Sequence, residues 1–88
     1  MRVMRLFLRK ISGMDNLHRV LEAVRMDLYA DYVGMQENGD AITFFVYRDW
    51  ERLAWSVDAE VLAGQKTDTH RINLIVDGFR QTHNKLGA

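Results

Sequence analysis

The sequence predicts an α+β fold, ferredoxin-like in its βαββαβ order, with a four-stranded antiparallel sheet carrying two helices on one face. Three observations lead there. The run Ala41-Ile42-Thr43-Phe44-Phe45-Val46-Tyr47 is rich in β-branched and aromatic residues and follows Asn38-Gly39, a strong hairpin signal. Residues 15–28 carry apolar side chains at the three-and-four spacing of a helix. Alternating runs toward both ends of the chain read as two further strands.

Along the chain, Val3–Ile11 sets Met4, Leu6 and Leu8 against Val3, Arg5, Phe7 and Arg9, the pattern of a half-buried first strand. Ser12-Gly13 ends it, and Asp15 can cap a helix whose Leu17, Val20, Leu21, Val24 and Leu28 share a face, with Arg19, Glu22 and Arg25 toward water. Residues 29–37 make a second strand, with Val33 and Met35 on one parity and Tyr32, Gly34 and Gln36 on the other; Gly34 weakens it. The turn at Asn38-Gly39 pairs it with the third strand, whose Ile42, Phe44 and Val46 face the core while Thr43, Phe45 and Tyr47 face away.

Residues 50–64 fit both periods. As a helix, Asp49 is the cap, Trp50, Leu53, Ala54, Val57 and Val61 form a stripe, and Gly64 is the stop. As a strand, Leu53, Trp55, Val57, Ala59 and Val61 alternate against Ala54, Ser56, Asp58 and Glu60. Three alanines, the segment's length and the signals at both ends favour the helix, with Trp55 and Leu62 left off its stripe. Arg71–Gly78 then becomes the last strand, with Ile72, Leu74 and Val76 inward. The competing parse, βαβββα, makes 69–86 a helix with Ile72, Ile75, Val76, Phe79 and Leu86 on one stripe, and goes with a strand at 50–64. The expected organisation is a single α+β domain over residues 1–78 and a tail over 79–88.

Twelve basic and twelve acidic residues cancel, so no global field draws the chain to nucleic acid or an anionic membrane. No cysteine is present, which excludes disulfides and thiolate metal sites and fits a cytoplasmic location. No run approaches the roughly 20 apolar residues of a membrane helix. Arg5 and Arg9 interrupt the apolar start of the chain, which therefore reads as a strand and not as a leader.

One surface needs a partner. On the sheet face away from the helices, parity gathers Arg5, Phe7, Arg9, Tyr32, Thr43, Phe45 and Tyr47. Burying a large apolar side chain is worth about 1.5–3 kcal/mol, so leaving Phe7 and Phe45 in water forgoes much of a small domain's stability of about 5–15 kcal/mol. The expected occupant is another protein surface, most often a second copy of the chain, with Phe7, Phe45 and Tyr47 as anchors, Arg5 and Arg9 orienting the contact, and Tyr32 at its rim. The alternative on the same face is single-stranded nucleic acid, bases stacking on the aromatics. The basic-Gly-aromatic-Gly sequence of an RNA-recognition motif is lacking here.

Other chemistries find less support. Gly13-Met14 resembles the Gly-Met opening of heavy-metal-associated domains, whose two cysteines fall at Asn16 and Arg19 here, so the resemblance implies no metal chemistry. His18, His70 and His83 have no ligand spacing. The layout of Ser12-Gly13-Met14-Asp15 before a helix is similar to that of an ACT-type regulatory domain, without a specific ligand residue. No nucleophile–base motif, Gly-rich phosphate loop or converging carboxylate pair occurs, so the reading is a non-enzymatic module without cofactor or metal. A cofactor-free enzyme acting in a dimeric sheet cavity is the residual catalytic option. A short chain without cysteine or proline also fits a phage or mobile-element accessory (inhibitor-type) protein.

Overall fold

Leu17, Val20, Val24 and Leu28 recur at the spacing that puts them on one side of a helix, and they are buried along helix α1 (Met14–Asp27) and the turn that follows it. The structure is a computed structural model describing residues 14–87, with side chains from Leu17 onward. The strand expected over Val3–Ile11 lies outside the described residues. A Schellman-type cap ends α1: Tyr29 takes φ +52°, its N–H donates to Met26 O at 3.2 Å, and Ala30 N–H donates to Arg25 O at 2.9 Å. Glycine normally fills the left-handed position that Tyr29 holds.

Strands β1 (Tyr32–Asn38), β2 (Ala41–Arg48) and β3 (Glu51–Asp58) form an antiparallel meander in the order β1-β2-β3. Asn38 pairs with Ala41, so the first turn is Gly39-Asp40, with Gly39 at φ +65°. Arg48 pairs with Glu51, so the second turn is Asp49-Trp50, at φ +53° and +66°. Two positive values are the type I′ pattern, whose backbone twist matches a hairpin.

The short helix α2 (Ala59–Ala63) follows β3 directly and buries Ala59 and Leu62. Thr67 caps helix α3 (Asp68–Thr82), its hydroxyl accepting from His70 N–H at 3.1 Å. A 3₁₀ turn, Asn84–Leu86, follows and buries Leu86. The helices cover one face of the sheet, and the core between the layers contains Val20, Val24, Leu28, Ile42, Phe44, Val46, Ile75 and Phe79. Phe44 and Phe79 are completely buried, and each contributes about 1.5–3 kcal/mol by leaving water.

The ferredoxin-like four-stranded sheet is therefore corrected. Among the described residues the sheet has three strands within a general α+β class, and the segment expected to supply the last strand, Arg71–Gly78, lies inside α3. The helix expected over 50–64 is likewise replaced by β3 and α2. Both corrections have one physical origin. As a strand, 51–58 pairs with all of β2 and turns Leu53, Trp55 and Val57 to the helix side, where a helix would have stranded Trp55. The Trp55 ring then lies 6.3 Å from Phe44 and 6.1 Å from Phe79 by ring centroids and packs against α3 at Gly78.

The segment after α3 is held against β3. His83 Nε2 makes a hydrogen bond with Ala54 O at 2.8 Å, its ring stacks on Phe79 at 6.2 Å, and Lys85 pairs with Glu51. Phe79 itself belongs to the core and Leu86 is buried beside it.

Candidate functional site

The sheet face opposite the helices carries Tyr32, Gly34 and Gln36 from β1, Thr43, Phe45 and Tyr47 from β2, and Arg52, Ala54 and Ser56 from β3, as the register requires. Tyr32, Thr43, Phe45 and Tyr47 thus share one surface. Arg5, Phe7 and Arg9, expected beside them, lie outside the described residues.

Each of the four is fixed by its cross-strand neighbours. Tyr32 and Tyr47 are directly paired, with ring centroids 5.6 Å apart and planes tilted by 54°. The Tyr32 ring also lies over Gly34, where an added Cβ would approach its Cε2 to 3.0 Å. Phe45 sits between Gly34 and Ala54, two small neighbours that leave its ring half-buried, and the Arg52 guanidinium stands over it at 5.1 Å. Thr43 accepts from Asn38 Nδ2 at 2.7 Å and shares a hydrogen bond with Ser56 Oγ at 2.7 Å. The Thr43 end of the face is polar, and the Tyr47 end is aromatic.

Beyond Tyr47 the aromatic surface continues off the sheet. Trp50 is fully exposed at the tip of the β2–β3 turn, and Tyr29, 80% exposed, projects from the cap of α1. Among the described residues the exposed large apolar side chains are Met26, Tyr29, Tyr32, Tyr47, Trp50 and Val61, and all but Val61 stand at this end. Hydrogen bonds hold the end together. Asp31 N–H donates to Tyr47 O at 2.8 Å, Arg48 Nη1 to Leu28 O at 3.2 Å, Arg80 Nη2 to Asp27 O at 3.2 Å, and Arg25 Nη1 to Ala30 O at 3.2 Å. Three arginines on the terminal carbonyls of α1 and the residues after it also complement the negative end of the helix dipole.

An open cleft of about 350 Å³ lies here, lined by Asp31, Tyr47, Arg48, Trp50, Glu51 and Arg52. Most of its charges are engaged: Arg48 with Leu28 O and, at 3.7 Å, with Asp49; Arg52 with the Phe45 ring; Glu51 with Lys85. Among the described residues no hydrogen bond or ion pair engages the Asp31 carboxylate. On α1, Glu22 binds Arg25 through two hydrogen bonds of 3.1 and 2.6 Å, and this pairing holds the Glu22 carboxyl below its ordinary range and Arg25 above its own.

Trp50 and Tyr29 are the residues that the sequence does not reveal. Trp50 reads as one of a buried helical stripe, and Tyr29 as the start of a strand. The signal for Trp50 was the two-residue gap between alternating runs at 41–48 and 51–58, which places it in a turn even though Asp-Trp is no turn signature. Among the described residues there is no cluster of three or more His, Asp or Glu placed to hold a metal ion, and no helix is long and apolar enough to cross a membrane.

No family model, curated protein or solved structure matches the chain.

Proposed function

We propose that this chain is a small, non-enzymatic protein-docking module of the cytoplasm, which covers its aromatic sheet face with another protein surface, in the simplest case a second copy of itself. The observation carrying this reading is the concentration of exposed aromatic side chains at the Tyr32–Tyr47 end of the face, continued by Trp50 and Tyr29. Such clusters are characteristic of interaction sites, and tryptophan and tyrosine dominate their binding energy.

Size supports the inclusion of the corner. The three described strands, spaced about 4.8 Å apart and about eight residues long, present a face of roughly 14 by 26 Å. That is well short of the ~800 Å² per partner of a standard interface. The contact therefore extends past Tyr47 onto Trp50 and Tyr29. Arg52 favours protein over nucleic acid on this face, because its guanidinium already covers the Phe45 ring on which a base would stack.

Light scattering over a concentration range tests the reading. A dimer that Tyr47→Asp converts to a folded monomer is the expected result. A wild-type chain that stays monomeric and binds single-stranded oligonucleotide, with an affinity falling steeply as salt rises, overturns it in favour of nucleic acid.

A further inference from the structure

In an antiparallel sheet the N–H and C=O of one residue point to the same side of its strand, and the side alternates along the chain. Ala59 N–H donates to Asp40 O at 2.8 Å, so the even-numbered residues of β2 turn toward β3, and Thr43, Phe45 and Tyr47 turn toward β1. Asp31 N–H reaches Tyr47 O at 2.8 Å from the β1 side, and His83 takes Ala54 O from outside β3, as the same alternation requires. Thr43, Phe45 and Tyr47 are paired with Gln36, Gly34 and Tyr32. The residues between these on β1, Val33, Met35 and Glu37, therefore aim N–H and C=O at the outer edge. Among the described residues no hydrogen bond engages those groups.

This edge is matched to itself. Its register with β2 runs without a bulge, it contains no proline, and Glu37 is the one charged residue of β1, so the devices that usually blunt an edge strand are lacking. We propose that β1 pairs antiparallel with β1 of a second copy about a two-fold axis at Met35. Val33 then faces the partner's Glu37 and Met35 faces the partner's Met35, so every outward residue exchanges both of its bonds. A slip of one residue sets outward groups against inward ones. A slip of two leaves Val33 unmatched or brings Glu37 against Asp31. In the central register the two Glu37 carboxylates stand four residues apart, about 14 Å along the seam, and no like charges are opposed. Symmetry supplies this match automatically, whereas an unrelated strand has to carry it in its own sequence. The inference goes beyond the docking function, in which a partner covers the face; here a copy lengthens it. Six strands present roughly 29 by 26 Å, close to the ~800 Å² that a standard interface takes from each partner.

Hydrogen exchange of the full-length chain, read by NMR from micromolar to millimolar protein with light scattering on the same samples, tests the pairing. The Val33, Met35 and Glu37 amides are expected to slow about tenfold or more as concentration rises, while Tyr32, Gly34 and Gln36, held by β2, are protected throughout. Met35→Pro removes an outward N–H and no bond to β2, so it abolishes the concentration effect and keeps the Gly34 and Gln36 protection that reports an intact fold. Met35→Lys and Met35→Glu each oppose like charges at the axis and lose the effect, and an equal mixture of the two restores it. Fast exchange of the three outward amides at every concentration, protection that ignores concentration because the chain's own residues take the edge, or a mixture that restores nothing overturns the proposal. The docking face fails separately. Association that Tyr47→Asp removes and Met35→Pro spares keeps the face and overturns the edge pairing, whereas the reverse pattern keeps the edge pairing and removes self-association through the face.

Discussion

Gly78 of α3 lies flat against the ring of Trp55, so closely that a Cβ at position 78 would come within 2.2 Å of Trp55 Cε2. The ring has no room to retreat, because Phe44 and Phe79 flank it. The closest approach of helix to sheet therefore depends on one missing side chain.

Gly78→Ala is accordingly expected to destabilise the fold by about 1–3 kcal/mol, the usual cost of overpacking a core. In an ordinary helix interior the same change would stabilise by about 0.8–1 kcal/mol, so the sign separates the two accounts. Denaturant unfolding of Gly78→Ala measures it. Adding Trp55→Leu to Gly78→Ala should cost less than the sum of the two single changes, since each relieves the other.

Tyr29 should behave in the opposite way. Its φ of +52° suits glycine, and its side chain is mostly in solvent. Tyr29→Gly is expected to stabilise the chain by about 1 kcal/mol, raising the melting temperature by about 4–8 °C. The same variant should weaken self-association, because it removes part of the aromatic corner. A gain in thermal stability with unchanged dimerisation would confine Tyr29 to a capping role.

The Glu22–Arg25 pair gives a pH dependence of known sign. The Arg25 hydrogen bonds lower the folded-state pKa of Glu22, so the contribution is present above the unfolded carboxyl pKa and is lost as pH falls through the folded one. Thermal melts of wild type and Glu22→Gln should differ at neutral pH and converge on the acid side. The gap should also shrink with salt, since the pair is exposed. A constant gap across the acid range would show that the charge of Glu22 is not what the pair uses.

Local pattern revealed α1, β1 and β2 with the turn that joins the two strands, and tertiary contact decided the rest. Ile42, Phe44 and Val46 alternate so cleanly that their burial can be read directly, and Leu17, Val20, Val24 and Leu28 do the same for the helix. Residues 51–58 fit two periods, and only the pairing with β2 distinguishes them. Gly78 is the sharpest case. Alone, a glycine closing Ile72–Val76 reads as the end of a strand, yet here it is the helical position that admits the Trp55 ring. The candidate site divides in the same way: the parity of β1 and β2 collected Tyr32, Thr43, Phe45 and Tyr47, while Trp50 and Tyr29 depend on left-handed turns that neither residue type announces.

The bond from His83 to Ala54 O has a consequence for the molecule in crowded company. Among the described residues β3 is an outer strand, and outer strands offer free carbonyls and amides on which a foreign strand can grow into a fibre. His83 occupies one of those carbonyls, and the pairing of Lys85 with Glu51 lays the following turn along the same strand. The segment after α3 thus stands in the way of a foreign strand adding along β3, while β1, the other outer strand among the described residues, has no such guard among the hydrogen bonds described above.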